Sequence, residues 1–214
     1  MQNINKITTL FLDIGGVLLS NGWGLEFRQR AAAKFQLDET EMEERHSIMF
    51  VTYEEGKISL EEYLERVVFY KKRDFTPGEF RDFMCSLSTP YLDMIEFIKK
   101  LKVQYGLKIV AVSNEARELN AYRIRTFKLN GFIDFFISSC YVHLRKPDPV
   151  IFKLALDLAQ VSPEQVIYID DVKMFADIAS GLGICSIWHT NYLLTSNALA
   201  AMGLPFVDNQ LIDV

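Results

Sequence analysis

The sequence predicts an α/β fold, a doubly wound parallel sheet with a smaller helical unit inserted into it. Three short apolar runs, residues 9–12, 108–112 and 166–169, each lead into a small or acidic polar residue and then a loop. Buried parallel strands have this pattern. Helical patterns follow the second and third runs, and this alternation of strand and helix indicates helices on both faces of one sheet.

Two weaker strands complete the predicted sheet, at residues 135–138 and 186–188. Because ligands of such sheets bind at the carboxyl ends of the strands, we expect the functional residues there.

The inserted unit lies between the first and second strands and is rich in Glu, Arg, Phe and Tyr at helical spacing. Ser59 and Glu62 have the spacing of a capping box and predict a helix start. Thr76, Pro77 and Glu79 open another helix by the same logic, with proline at the first helical position. We interpret the aromatic residues of these helices as packing.

Composition excludes several classes of protein. A formal net charge of −5 and 50% hydrophobic residues indicate a globular protein with no general attraction to nucleic acid or to an anionic membrane. Cys85, Cys140 and Cys185 lack metal-type spacing and are predicted to be buried free thiols. The polar start of the chain lacks a signal peptide, and no apolar run is long enough to cross a bilayer, so we expect a cytoplasmic location.

Polar residues follow each predicted central strand. Asp13 ends the first, before Gly15 and Gly16, and Ser113 and Asn114 end the second. Glycines let the backbone approach a ligand, and a hydroxyl with nearby backbone N–H groups can hold phosphoryl oxygens. Alone, however, Asp13 is equally read as a cap for the next element, and Ser-Asn is ordinary turn chemistry.

Two further segments carry charge. Lys146 lies in a loop that Pro147 and Pro149 restrict, although a lone lysine in a loop is usually solvated. Asp170 and Asp171 end the third strand, and adjacent carboxylates after an apolar strand repel each other unless a cation lies nearby. Mg²⁺ is the cation that such oxygen ligands commonly hold.

Taken in order, these four pieces and the turn at 181–183 resemble the haloacid dehalogenase superfamily. The resemblance covers residue 8 to about residue 188. It implies a Rossmann-like core domain of residues 1–20 and 90–214, with a small helical cap domain of residues 21–89. It also implies a magnesium-dependent phosphate monoester hydrolase that acts through an aspartyl-phosphate intermediate on a small phosphorylated metabolite.

The resemblance also implies a role for each site residue. Asp13 would be the nucleophile and a magnesium ligand, with the backbone carbonyl of Gly15 beside it. Asp171 would be the direct acidic ligand and Asp170 an outer or alternate one. The remaining three, implied to bind the phosphoryl group or neutralise its charge, are Ser113, Asn114 and Lys146.

The chain departs from this family's pattern at Gly15, where phosphatases of the superfamily usually carry a general acid. Such an acid typically contributes about a hundred- to ten-thousand-fold in rate. Its loss favours leaving groups of low basicity, such as anomeric sugar phosphates, acyl phosphates or aryl phosphates. His46, Glu54 and Glu55 are alternative acids, but residues of these types on a polar helix are usually surface residues, and we leave them unassigned.

Three aromatic residues of the insertion have two interpretations, substrate cleft or cap core: Trp23, Phe50 and Tyr53. His143 and His189 are interpreted as structural. Two other functions remain open. One is a phospho-ligand-binding protein that lost turnover with the acid, and the other is a 2-haloacid dehalogenase, for which Gly15 and Gly16 provide no halide cradle.

Overall fold

The computed structural model describes residues 7–206 and contains one parallel sheet of five strands. The strands are β1 (Thr9–Leu12), β2 (Lys108–Ser113), β3 (Phe135–Ser138), β4 (Val166–Asp170) and β5 (Cys185–Trp188). Their order is β3-β2-β1-β4-β5. All five predicted strands are therefore confirmed, with the last starting one residue earlier than expected.

The described residues also form ten α-helices, named here in chain order. They are α1 (Leu25–Phe35), α2 (Glu39–Glu54), α3 (Leu60–Val67), α4 (Pro77–Ser86), α5 (Leu92–Tyr105), α6 (Arg117–Thr126), α7 (Ser139–Val142), α8 (Val150–Ala159), α9 (Lys173–Gly181) and α10 (Tyr192–Ala201). The predicted capping boxes are present at the starts of α3 and α4.

The central strands are buried on both faces, which explains their continuous apolar runs. Leu10 and Leu12 of β1 pack into one hydrophobic cluster with α5, while Phe11 packs into a second cluster with α8. Because side chains alternate across a strand, each apolar residue contributes to one of two layers of helices. The predicted doubly wound α/β fold is confirmed.

The register of the sheet aligns the strand ends that carry the motifs. Leu12 lies opposite Ala111 of β2 and Ile169 of β4. The residues after these three therefore emerge side by side at one edge, and the chain turns away from the sheet there. Asp13, Val112 and Asp170 occupy these neighbouring positions.

The insertion leaves the core and returns to it at one place. Residues 19 and 90 form an antiparallel bridge, and the N–H of Ser20 donates to the Thr89 carbonyl at 2.8 Å. Helices α1–α4 share a separate hydrophobic cluster, which Ala116 and Leu119 join from the start of α6. The division into a core and a cap at residues 21–89 stays a proposal, and the single point of exit and return and the separate cluster are consistent with it.

Two calls extend beyond what is described or differ from it. The ends of the proposed core domain, residues 1–6 and 207–214, lie outside the described residues. All three cysteines are free thiols, but only Cys140 is buried, and Cys185 is exposed. Cys185 lies on β5, an edge strand that has a neighbouring strand on one side only. Within residues 7–206 no helix combines the length and the hydrophobicity needed to cross a membrane.

Candidate active site

The candidate site lies at the carboxyl edge of the sheet, where three carboxylates converge. Asp13, Asp170 and Asp171 each offer an oxygen, and these oxygens lie within 4.8 Å of one another. Asp13 and Asp170 are buried, and Asp171 is partly exposed. Asp13 precedes the other two acids by more than 150 positions in the sequence, and the parallel pairing of β1 with β4 brings it to them.

Asp13 is held by hydrogen bonds to one oxygen and an ion pair to the other. Oδ1 accepts from the Ser113 hydroxyl at 2.5 Å and from the N–H of Ile14 at 2.8 Å, and Oδ2 lies 3.1 Å from Lys146 Nζ. Burial raises the pKa of Asp13 to about 7; Lys146 and Ser113 oppose the shift, and Asp170 adds to it. The carboxylate is therefore fixed in orientation.

Lys146 is fully buried and joins two of the acids. Its Nζ lies 2.6 Å from Asp170 Oδ2 and 3.1 Å from the Tyr168 hydroxyl. Burial alone would lower the pKa of Lys146, but Asp13 and Asp170 raise it above its ordinary value. The ammonium group thus stays charged at neutral pH.

The two adjacent acids are held differently. Asp170 Oδ2 accepts from Lys146 and from the Tyr168 hydroxyl, and its Oδ1 accepts from the N–H of Val172 at 2.7 Å. Asp171 Oδ2 accepts one long hydrogen bond, 3.4 Å, from Asn21. Burial first, and Asp170 second, raise the pKa of Asp171. Asp171 therefore keeps more lone pairs free for a cation than Asp170 does.

The two glycines after Asp13 differ in their surroundings. Gly16 has φ of +72°, and a Cβ atom built there would lie 2.1 Å from Asp171 Oδ2. Gly15 lacks a positive φ, and its Cβ atom would meet only Asn21, at 3.1 Å from Oδ1 and 3.7 Å from Cα. Gly16 thus gives Asp171 the space to approach Asp13, whereas position 15 has room for a side chain.

Asn114 lies beside the carboxylates, but its side chain is occupied by the lysine loop. Its Nδ2 donates to the Lys146 carbonyl at 2.9 Å, and its Oδ1 accepts from the Lys146 N–H at 2.8 Å. This amide pair fixes Lys146 relative to β2. Phosphate binding by Asn114 stays a prediction, and it would depend on the backbone N–H and not on the side-chain oxygen.

A cavity of about 370 Å³ opens over the carboxylates and is bounded by the insertion. Three of its lining residues, Arg28, Arg123 and Arg145, are arginines, and five others are aromatic or imidazole rings: Trp23, His46, Phe50, Tyr53 and Phe175. That Gly15 and Gly16 provide no halide cradle stays a prediction, although other elements contribute arginine and aromatic side chains to the cavity.

The aromatic residues of the insertion satisfy both interpretations. Trp23 and Tyr53 line the cavity and also pack in the cap's hydrophobic cluster. Phe50 is half-buried and lies below the Arg145 guanidinium, which is 4.8 Å from the ring centre. The cap core and the wall of the cavity are thus built from the same side chains.

His46 and Glu54 are not the surface residues that their helix predicted. His46 is 6% exposed, and its Nδ1 lies 2.7 Å from the Tyr63 hydroxyl. The Glu54 side chain is 18% exposed and forms an ion pair with Arg145 at 2.8 Å. Both residues line the cavity. The sequence pattern of α2 did not indicate this burial, because it arises where the core domain covers the carboxyl end of the helix.

Two further histidines have structural partners, and one tyrosine contacts the site. His143 Nδ1 contacts the Glu55 carbonyl and His189 Nδ1 contacts the Thr195 hydroxyl, so both imidazoles have structural partners as expected. Tyr168 was read as part of an apolar strand. Its place two residues before Asp170 puts both side chains on one face of β4, which is the signal that could have identified it.

Comparison with known proteins agrees with this architecture. A family model described as haloacid dehalogenase-like hydrolase matches residues 7–179. The phosphorylated carbohydrates phosphatase of Thermotoga maritima is 30% identical over 134 residues, 63% of this chain and 57% of that protein. The chain therefore spans less than two thirds of this relative. The flavin mononucleotide hydrolase 1 of Arabidopsis thaliana is 27% identical over 185 residues, 84% of this chain and 72% of that protein.

Solved structures share the fold at low sequence identity. A HAD family enzyme from Bacteroides thetaiotaomicron has a TM-score of 0.75 at 20% identity, covering 92% of this chain and 98% of that one. That enzyme has also been crystallised with magnesium and inorganic phosphate. A defluorinating L-2-haloacid dehalogenase has a TM-score of 0.59 at 18% identity, covering 84% and 80%. The same fold thus serves both chemistries.

Proposed function

The chain belongs to the haloacid dehalogenase-like hydrolases, and from this membership we propose that it is a magnesium-dependent phosphatase of a small phosphorylated metabolite. The observation that carries the proposal is the convergence of Asp13, Lys146 and Asp171 at one sheet edge beneath a cavity. Phosphoryl transfer depends mainly on positioning and on charge stabilisation, and these groups provide both.

The donor set fits Mg²⁺. Three carboxylates lie within 4.8 Å of one another with one lysine among them, and the pKa values of Asp13 and Asp171 are raised. Hard oxygen ligands with excess negative charge are what this cation requires. We propose that Asp13, the Gly15 carbonyl and Asp171 hold it, with Asp170 in the outer position because its oxygens already accept hydrogen bonds. When bound, Mg²⁺ would supply positive charge to the transferring phosphoryl group.

Asp13 is the proposed nucleophile. One of its carboxylate oxygens forms a bond to phosphorus while the bond to the leaving oxygen breaks, and water then releases phosphate from the aspartyl-phosphate. Ser113 and the Ile14 N–H orient the carboxylate through Oδ1. The Lys146 ammonium group, 3.1 Å from Oδ2, neutralises charge on the nucleophile and on the incoming phosphate.

The cavity and the relatives support one substrate class. Arg145, Glu54 and His46 are polar groups that can bind hydroxyls, and the Trp23 and Phe50 rings provide apolar walls. This mixture suits the polar leaving group of a sugar phosphate, and the similar Thermotoga protein is a phosphatase of phosphorylated carbohydrates. We therefore propose a sugar phosphate as substrate, bound under the cap of residues 21–89.

The experiment is a phosphate-release assay of the purified protein against a panel of phosphorylated metabolites, with Mg²⁺ and with EDTA. We expect release that EDTA abolishes, and we expect Asp13→Asn to remove it while leaving the circular dichroism spectrum unchanged. Turnover by Asp13→Asn within tenfold of the parent would contradict the assignment. Release of halide from 2-haloacids in EDTA would instead identify a dehalogenase.

A further inference from the structure

The absence of an acid at Gly15 leaves the departing oxygen without a proton donor next to Asp13. Four of the described residues that line the cavity are acidic: Asp13, Glu54, Glu115 and Asp171. Asp13 and Asp171 belong to the carboxylate cluster. Glu115 is 4% exposed and is held by Arg123 in an ion pair of 2.5 Å. Glu54 is the acid that remains.

Glu54 lies at the carboxyl end of α2 and is fixed to the core at two points. Its backbone carbonyl accepts from the Ser139 hydroxyl at 2.7 Å. Its side-chain Oε2 accepts from Arg145 Nη2 at 2.8 Å and from Arg145 Nε at 3.2 Å. Since Arg145 directly precedes Lys146, the Glu54 carboxyl group is positioned relative to the group that contacts Asp13.

The other oxygen of Glu54 is available. Within the described part of the chain, Oε1 takes part in no hydrogen bond, while the side chain as a whole lines the cavity and is 18% exposed. A general acid–base residue is a positioned side chain with an atom that can exchange a proton with the substrate. Glu54 has this arrangement.

We propose that Glu54 performs the proton transfers that the residue at position 15 performs in other phosphatases of the family. The inference rests on the proposed phosphatase function. In the first step Asp13 bonds to phosphorus, the bond to the leaving oxygen breaks, and Glu54 gives its proton to that oxygen. In the second step the Glu54 carboxylate takes a proton from water, whose oxygen bonds to phosphorus as the bond to Asp13 breaks. Glu54 is then protonated again, and Asp13 is free.

The electrostatic surroundings of Glu54 suit both steps. Burial raises the pKa of Glu54 to about 7, against the opposing charge of Arg145; Glu115 raises it further and Lys146 lowers it. A pKa near the working pH leaves both the acid and the base form accessible.

The test compares Glu54→Gln with the parent on aryl and alkyl phosphates. Glutamine keeps an acceptor for Arg145, so the cap contact is preserved. For alkyl esters, whose leaving groups need a proton, we expect kcat/KM to fall by about a hundred- to ten-thousand-fold. For aryl esters of low leaving-group pKa, kcat/KM should change less than about tenfold, because it reports the first step.

A second readout is the phosphorylated enzyme. Without a base to activate water, Glu54→Gln should accumulate phosphorylated Asp13 with an aryl substrate, visible as an intact mass increased by one phosphoryl group. Glu55→Gln is the matched control, since the Glu55 side chain is paired with Lys57 and does not line this cavity. It should match the parent in both measurements.

The outcomes separate the two proposals. An equal fall of kcat/KM for both ester classes, or no fall, with no accumulated phosphoenzyme, would overturn the role of Glu54 and leave the phosphatase proposal intact. A parent protein that hydrolyses no ester of either class, or whose Asp13→Asn variant is as active as the parent, would overturn the phosphatase proposal itself.

Discussion

Lys146→Met removes the ammonium group that lies between two buried acids, Asp13 and Asp170. The Lys146 side chain is 0% exposed, and its Nζ lies 3.1 Å from Asp13 Oδ2 and 2.6 Å from Asp170 Oδ2. Methionine has a similar length and fills the same space. The substitution therefore changes the charge of the site with little change in packing.

The size of the effect follows from these distances. At an effective dielectric constant of about 20, unit charges at such separations attract by about 5 and about 6 kcal/mol. The lysine lost its own hydration on burial, which offsets part of this attraction. Breaking a buried pair from one side costs about 3–5 kcal/mol in practice, because the remaining carboxylate is left without a partner. We expect Lys146→Met to lower the free energy of unfolding by this amount at pH 8.

The cost should depend on pH. The pKa of Asp13 is already about 7 in the parent, and it rises further without the lysine. A carboxyl group whose folded-state pKa is raised contributes stability below its unfolded value and loses it as pH rises through the folded value. The deficit of Lys146→Met should therefore be smaller at pH 5 than at pH 8.

Urea unfolding in EDTA measures this deficit. Lys173→Met is the matched control, because Lys173 is 61% exposed and pairs with Asp177 at the surface. It should cost less than about 1 kcal/mol. A Lys146→Met deficit no larger than that of the control at pH 8, or one that grows towards pH 5, would refute the electrostatic reasoning.

Three further predictions concern the metal, a buried histidine and the missing acid. Asp171→Ala should weaken Mg²⁺ binding in calorimetry; binding as tight as in the parent would exclude the ligand role. Burial lowers the pKa of His46 to about 4, so the folded state excludes a proton that the unfolded state takes up below pH 6.5. As the pH falls from 7 to 5, His46 should therefore lower the free energy of unfolding by about 2 kcal/mol. In urea unfolding, the difference in this free energy between the parent and His46→Gln should change by that amount over the same pH range. A difference that does not change with pH would contradict the burial of the neutral ring. Adding Gly15→Asp to the Glu54→Gln variant should raise its kcat/KM for alkyl esters by about tenfold or more. Asn21 alone crowds position 15, so a side chain can be accommodated there. If the folded double variant shows no gain over Glu54→Gln, the new carboxyl group does not reach the leaving oxygen.

The sequence was sufficient to predict the core and the carboxylate cluster. Apolar runs buried on both faces indicate parallel strands, and parallel strands bring their carboxyl ends to one edge. Asp13 and Asp170 were therefore expected at one edge of the sheet, and the observed strand order, with β1 beside β4, makes them neighbours. The same reasoning placed Ser113 at this edge, where the structure brings its hydroxyl to Asp13.

The part of the cavity that the insertion lines was not predictable in this way. Helical periodicity tells which residues of α2 share a face, but it does not tell which part of the core that face meets. His46 and Glu54 looked solvated for this reason, and their burial depends on Tyr63 and Arg145. For Cys185 the opposite error occurred: it was predicted to be buried but is exposed. Its apolar neighbours in the sequence did not reveal that β5 is an edge strand.

The space at Gly16 makes the turn after β1 and the acidic end of β4 depend on each other. A single methyl group at this position would occupy the place of Asp171 Oδ2, although residue 16 itself carries no reacting atom. Gly16→Ala is therefore expected to displace the Asp171 carboxylate by steric clash while leaving the aspartate itself in place. Shortening residue 171 would not by itself make a side chain tolerable at position 16, because Gly16 has a positive φ and a Cβ built there would also lie 2.8 Å from Asp171 Cβ.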